Sequence, residues 1–414
     1  MPDAAVFPSG FQHTIDHIRG AGMTLGMYIA RGNQTCQGRP GTLYHEAQDA
    51  AQFAAWGVSY LKLDSCDGYG GRTAWAEYSL IADALRAAST APPYVEVCEN
   101  FPWLANNVTL PPGDASYGNS AYTLGNWLSE GLPVDTIANA LLVEWENTGD
   151  SWASTLGNFD AQFFLTSRLL AFPGVASHMD MLTVCMSAAQ SVAQYQAQLS
   201  LWSIMGSPLI LGNDFSRTDE ACVAAVLVNG SEVIAVDQDG LLAPSYKVLD
   251  TVVSLGASVA VAGRALPGGG GPVSVWWQVV TRRLESGELS VVVLCREAPM
   301  TAAALVRAAL RCDAGTAAGS EAAEVCASAA EERPLAAPVV VTLGAHARHE
   351  VVVRDWRDAP QYLFNVSLPL LGIPSSASVA VRNLWLHADV GPVQGAIPLL
   401  ITPMSVAHIN VRLL

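Results

Sequence analysis

Across residues 1–242, apolar stretches of strand length alternate with stretches of helical periodicity, and that alternation limits the fold more than any other feature of the chain. Residues 11–21 carry a helical pattern and 23–29 an extended one. Residues 44–56 read as helix, followed by the extended run Tyr60-Leu61-Lys62-Leu63-Asp64. Residues 74–88 read as helix and 94–98 as strand. Val192, Tyr195, Leu199 and Trp202 form one stripe at helical spacing. The short runs Leu209-Ile210-Leu211 and Val233-Ile234-Ala235-Val236 read as buried strands, the second ending at Asp237. Strands that alternate with helices need crossover connections, so this part predicts βαβ units and a parallel sheet.

The pattern changes after Pro244. Residues 252–261, 273–280, 289–294, 339–343, 351–353, 379–386 and 406–414 are rich in β-branched side chains, and no helical pattern separates most of them. Glycines 268–271 mark a turn between two of these runs. This is the pattern of an all-β antiparallel sandwich. Residues 301–337 are alanine-rich and partly acidic, and read as an insertion with a mobile surface middle. The chain therefore predicts two domains, 1–242 and 245–414, and 414 residues can supply a core for each.

An apolar content of 51% argues for a packed protein, and a net charge of −16 excludes nucleic acid and anionic membranes as partners. No run is long and apolar enough to span a bilayer, and Met1-Pro2-Asp3 begins neither a basic nor an apolar leader region. The cysteines are Cys36, Cys66, Cys98, Cys185, Cys222, Cys295, Cys312 and Cys326, with no C-x-x-C pair among them, so no metal site is expected. Sequons stand at Asn33, Asn107, Asn229 and Asn365, as in a protein of the secretory route. The leaderless start and these features fit together if the true amino terminus lies upstream.

Lys62 and Asp64 carry the first chemical signal. Side chains alternate along a strand, so the two fall on one face. A carboxylate at the carboxyl end of a strand, beside a cation, stays ionised near neutral pH, which suits a nucleophile. (β/α)8 barrels keep their catalytic groups at that end of the strands. An aspartate capping the strand and a structural ion pair are the plainer readings of the same two residues.

Several blocks, in order, resemble glycoside hydrolase family 27, the α-galactosidases and α-N-acetylgalactosaminidases. They are Met23-Thr24-Leu25-Gly26-Met27-Tyr28, the loop from Gly32 through Cys36 to Gly41, and Trp56-Gly57-Val58-Ser59-Tyr60-Leu61-Lys62-Leu63-Asp64-Ser65-Cys66. Two later blocks, residues 201–214 and 233–239, look similar to the same family. The resemblance covers most of residues 6–242. It implies a (β/α)8 TIM barrel followed by the β-sandwich. The family's first barrel strand would precede residue 1, so the chain is expected to start inside the barrel, as a truncated sequence would.

By the same resemblance Asp64 is the nucleophile of a retaining glycosidase, with Lys62 contacting sugar hydroxyls and holding Asp64 ionised. Cys36 and Cys66 match a family disulfide. Tyr28 would line the sugar pocket. Glu99, after Cys98, stands where the family reads the 2-substituent of the sugar, and a glutamate there favours a 2-hydroxyl over a 2-acetamido group. Asp150, within Trp145-Glu146-Asn147-Thr148-Gly149-Asp150-Ser151-Trp152, matches the acid/base, although Glu146 stands where an arginine is usual and the segment is shorter. Its plainer reading is a helix N-cap. Asp180 and Met181 match a sugar-binding segment; His178 and Met179 replace part of that motif, and His178 has no role in this reading.

The implied function is removal of terminal α-D-galactose by double displacement, with the two carboxyl groups about 5–5.5 Å apart. No metal or organic cofactor is implied. The partner is an α-galactoside oligosaccharide or glycoconjugate, a homodimer is an admissible assembly, and the expected location is secreted or lysosomal/vacuolar. Hydrolysis of α-N-acetylgalactosaminides or β-L-arabinopyranosides, or sugar binding without turnover, are the competing functions.

Overall fold

Buried apolar residues mark the strands of the first half of the chain. In Val58–Asp64 the side chains of Leu61 and Leu63 are fully buried, while Tyr60 and Lys62 keep partial access to solvent. The computed structural model describes residues 2–66, 74–98, 140–142, 151–164, 176–187, 189–262, 264–266, 272–296, 302–312, 320–333, 335, 339–343, 349–355, 357 and 360–414. The chain divides into two compact units. One comprises Met1–Met181 with Gly206–Ile210, and the other Leu182–Met205 with Leu211–Leu414.

The first unit contains helices α1 (Phe11–Gly20), α2 (Glu46–Trp56), α3 (Ala74–Ala88) and α4 (Trp152–Phe164). Its strands are β1 (Leu25–Ala30), β2 (Val58–Asp64), β3 (Tyr94–Cys98), β4 (Ala140–Leu142) and β5 (Ala176–His178). The five strands form one parallel sheet in the order β1-β2-β3-β4-β5. Leu61, Leu63, Val95 and Val97 point to one side, into a core with Ile15, Ala50, Phe53, Tyr78, Ile81 and Leu85. The alternate residues Tyr60, Lys62, Asp64 and Glu96 point to the other side. Helix α2 stops at Gly57, whose φ of 63° is left-handed. Any side chain there would also meet the Arg19 guanidinium, 2.3 Å from an ideal Cβ, which donates to the Trp56 carbonyl.

In the second unit, helices α5 (Val192–Met205), α6 (Glu220–Val223) and α7 (Ser231–Asp237) precede the β-rich part, in which α8 (Ala302–Leu310) and α9 (Glu321–Glu331) are embedded. The strands are β6 (Ser245–Val261), β7 (Arg264–Ala265), β8 (Pro272–Arg283), β9 (Leu289–Cys295), β10 (Val339–Leu343), β11 (His349–Val353), β12 (Tyr362–Ser367), β13 (Ser378–Asn383), β14 (Ala388–Gln394), β15 (Ala396–Ile401) and β16 (Ser405–Leu413). Among the described residues these make a large antiparallel sheet, β11-β10-β6-β8-β9-β16-β13-β14 with β7 on β6, and a separate antiparallel pair β12-β15. The two sheets share one core, where Trp277 of β8 meets Phe364 of β12 with ring centroids 4.7 Å apart. Arg282 is buried yet satisfied. Its guanidinium donates to the carbonyls of Ala243, Ser203 and Val236, so it closes the last turns of α5 and α7 against β8.

Two stretches differ from the sequence expectation. Residues 233–236 are helix, not strand: Val233 and Val236 are buried three residues apart, a spacing that a short apolar run does not reveal. Leu209-Ile210-Leu211 forms no strand, and Leu211 makes a single bridge to Leu182. Around the expected insertion, α8 and α9 bury Leu305, Val306, Leu310, Ala322 and Cys326 in the β-rich core, and the disulfide Cys312–Cys326 ties them together. Alanine is the best helix former and packs closely, which accounts for that composition. Its middle, 313–319, and the glycine turn 268–271 lie outside the described residues. No helix among the described residues is long and apolar enough to cross a membrane.

Candidate active site

The carboxyl ends of β1, β2 and β3 build the site in register. Tyr28 of β1 pairs with Lys62 of β2, Lys62 with Glu96 of β3, and two residues further on Ala30 pairs with Asp64. Tyr28, Lys62 and Glu96 thus form one row, and Asp64 stands one step nearer the strand ends.

Asp64 is buried at 8% exposure and well supported. Its Oδ2 accepts the Tyr28 hydroxyl at 2.5 Å, its Oδ1 accepts the Ser65 amide at 2.8 Å, and its carbonyl accepts the Arg31 amide at 2.9 Å. Burial raises the Tyr28 phenol above its ordinary value, and the hydrogen bond to Asp64 and that residue's charge raise it further. Tyr28 therefore remains a proton donor to Asp64, while 41% of its surface stays open.

The loop after β1 folds back on itself. The amides of Gly41, Thr42 and Leu43 bond to the carbonyls of Asn33, Ala30 and Gly32. An ideal Cβ at Gly41 would lie 2.0 Å from the Gly32 carbonyl oxygen, so only glycine fits there. The Cys36–Cys66 disulfide joins this loop to the residues after Asp64, across a sequence separation of 30. Cys36, Cys66 and Asp64 place three ligand-type atoms within 4.8 Å, but the sulfurs are bonded to each other and offer no thiolate pair to a metal. Below the loop, Arg31 and Glu77 of α3 form a buried ion pair, and the Arg31 guanidinium lies 5.3 Å from the centre of the Tyr78 ring.

Lys62 stands two residues before Asp64 on the same face of β2. Its ion partner among the described residues is Glu96, with Nζ 3.6 Å from Oε1. Glu96 is fully buried; its Oε2 accepts the Tyr60 hydroxyl, and its Oε1 lies 2.9 Å from Nδ1 of buried His178. That last contact is close but without hydrogen-bond alignment. The sequence reading left Glu96 and His178 without roles. A glutamate flanked by Val95 and Val97 in a buried strand was the available signal.

His178 leads into Met179-Asp180-Met181. Met179 is buried, its amide bonded to Ser207 Oγ at 2.8 Å and its carbonyl to Asn158 Nδ2 at 3.1 Å. Asp180 is buried with a left-handed φ of 66°, a conformation that a non-glycine residue holds only where its surroundings fix it. Met181 is 42% exposed. Glu99 and Asp150, together with Glu146, lie outside the described residues.

The family profile described as "Alpha galactosidase A" matches residues 1–239. An alpha-galactosidase of Cyamopsis tetragonoloba is 33% identical over 255 residues, 61% of this chain and 53% of that protein. An alpha-N-acetylgalactosaminidase of Gallus gallus is 35% identical over 245 residues, 58% of this chain and 54% of that protein. The chain thus spans about half the length of the curated relatives it matches. Among solved structures, alpha-galactosidase I from Mortierella vinacea superimposes with a TM-score of 0.64 at 18% identity, over 98% of this chain and 80% of that one, a likeness of fold.

Proposed function

This chain belongs to glycoside hydrolase family 27, the alpha-galactosidase A family, and on that premise we propose that it is a retaining glycosidase that removes terminal α-D-galactose from oligosaccharides or glycoconjugates. The observation that carries the reading is the Asp64 carboxylate. It is buried at the carboxyl end of β2, bonded to the Tyr28 hydroxyl at 2.5 Å, and one register step beyond Lys62.

In this mechanism Asp64 attacks the anomeric carbon and forms a covalent glycosyl-enzyme. Asp150 donates a proton to the leaving oxygen, then takes one from the water that releases the sugar. Tyr28 steadies the nucleophile by donating to Oδ2 and reduces the charge on it as attack begins. Lys62, Glu99, Asp180 and Met181 bind sugar hydroxyls and the ring, and Glu99 favours a 2-hydroxyl. The five parallel strands and their helices are read as part of a (β/α)8 barrel over 1–242, followed by a sandwich over 245–414. Disulfides at Cys36–Cys66, Cys185–Cys222 and Cys312–Cys326 favour a secreted or lysosomal/vacuolar protein.

Hydrolysis of the nitrophenyl glycosides of α-galactose, α-N-acetylgalactosamine and β-L-arabinopyranose tests the reading. Turnover of the α-galactoside, abolished in Asp64→Asn, is the expected result. Preference for either other sugar would overturn the galactose assignment. Sugar binding without turnover would overturn the hydrolase reading.

A further inference from the structure

Glu96 presents a problem of solvation. A carboxylate taken fully out of water is costly unless other charges and donors replace the water, and an apolar residue of similar size would often be the more stable choice. The chain instead surrounds Glu96 with the Tyr60 hydroxyl on Oε2 and with Lys62 and His178 on Oε1. The three partners come from β2 and β5, on either side of Glu96 in the sheet. Glu96 is one register step short of the position where Asp64 stands, His178 is the last residue of β5, and both are closed to solvent.

Resting on the glycosidase reading above, we propose that Glu96 and His178 are a positioning pair that fixes two walls of the sugar pocket at once. Lys62 has four rotatable bonds and three donors. Held by Glu96, its ammonium keeps one orientation before the sugar arrives, so the ordering cost is not charged against binding. His178 brings the second wall. It stands two residues before Asp180, and its contact with Glu96 ties the Met179-Asp180-Met181 segment to the strand that carries Lys62. The Ser207 and Asn158 bonds to the Met179 backbone clamp the same segment from its other side. Glu96 is thus the common node between a cation on β2 and an acid after β5.

The test uses the full chain and the variants Glu96→Gln, His178→Gln, the double variant and His178→Ala, each checked by circular dichroism. With nitrophenyl α-galactoside, Glu96→Gln and His178→Gln are expected to lose about tenfold in kcat/KM, mostly through KM, and the double variant no more than about the worse single one, as for residues acting as a unit. His178→Ala should lose more than His178→Gln. Folded variants with wild-type kinetic constants, or losses that multiply independently, would overturn the proposal. A wild-type protein that turns over no α-galactoside refutes the glycosidase reading instead. The positioning pair is then decided by the imidazole resonance that disappears in His178→Gln. It should shift in Lys62→Met and stop responding to that change once Glu96→Gln is present. A His178 resonance indifferent to Lys62 would overturn it.

Discussion

Lowering the pH should loosen the β-rich unit through one histidine. His408 of β16 is completely buried, with Nε2 2.9 Å from Ser290 Oγ of β9, and burial pushes its pKa down to about 3. In the unfolded chain a histidine titrates near ~6.5. Between these values the unfolded state binds a proton that the folded state refuses, so stability rises with pH across the window and is lost as pH falls from about 6.5 to about 3. The full gap corresponds to roughly 4–5 kcal/mol, and about 2 kcal/mol of it is already lost at pH 5. Asp237 opposes this. Burial raises its carboxyl to about 7, against the lowering effects of Gln238 and Arg282. The folded state therefore keeps a proton that the unfolded state gives up between ~4 and ~7, and this contribution falls as pH rises. The wild-type profile is consequently shallow, and only a difference isolates His408. Urea unfolding followed by tryptophan emission, from pH 7.5 to 4.5, should be run on the wild type and on Ser290→Ala/His408→Leu, which removes both partners together. The variant should gain on the wild type by about 2 kcal/mol between pH 7 and pH 5. A difference constant with pH would refute the claim that the buried imidazole stays neutral.

Asp64→Asn should abolish turnover, by at least ~10³-fold in kcat, without moving the urea midpoint by much; retained hydrolysis would reassign the nucleophile. Tyr28→Phe removes a donor to a charged acceptor and should cost about 10- to 100-fold in kcat/KM, read from initial rates. Opening the Cys36–Cys66 bridge with paired serines should cost about 3–4 kcal/mol in the chain-entropy account, measured by denaturation against the wild type. Glu77→Gln removes the carboxylate paired with the buried Arg31 guanidinium and should cost about 3–5 kcal/mol, whereas changing both residues to methionine should cost less, which a thermal melt of each variant checks.

The parts of the fold that were legible in the sequence are those in which local pattern and burial agree. Residues 74–88 and 94–98 are helix and strand as read, and β1, β2 and α2 begin or end within about two residues of expectation. In each, the apolar residues face the core in the period of the element they form. The run 233–236 failed because four apolar residues fit a buried strand and a buried helical turn equally. Residues 301–337 carry a weaker signal. Alanine and glutamate look like surface, yet the small alanines let α8 and α9 approach the β-rich core, and a disulfide secures them. At the site, strand alternation makes the shared face of Lys62 and Asp64 legible, whereas Tyr28 enters only through the family resemblance. The Glu96–His178 contact was not, because it joins β3 to β5 with β4 between them in the sheet, and no spacing in the sequence encodes a contact across an intervening strand.

That contact also shows what the apolar core contributes to the chemistry. Leu61, Leu63, Val95 and Val97 bury themselves on the helix side, and in doing so they fix the register in which Lys62 faces Glu96 and Ala30 faces Asp64. A slip of β2 by one residue against β3 would turn the side chains of β2 to the opposite face. It would place Lys62 and Asp64 in the apolar core while exposing Leu61 and Leu63, so the hydrophobic term forbids the slip far more strongly than the ion pair could. Lys62 and Glu96 therefore need not hold the strands together. Their positions are dictated by apolar neighbours one residue away, which leaves their mutual attraction free to set the direction of an ammonium rather than the architecture that carries it.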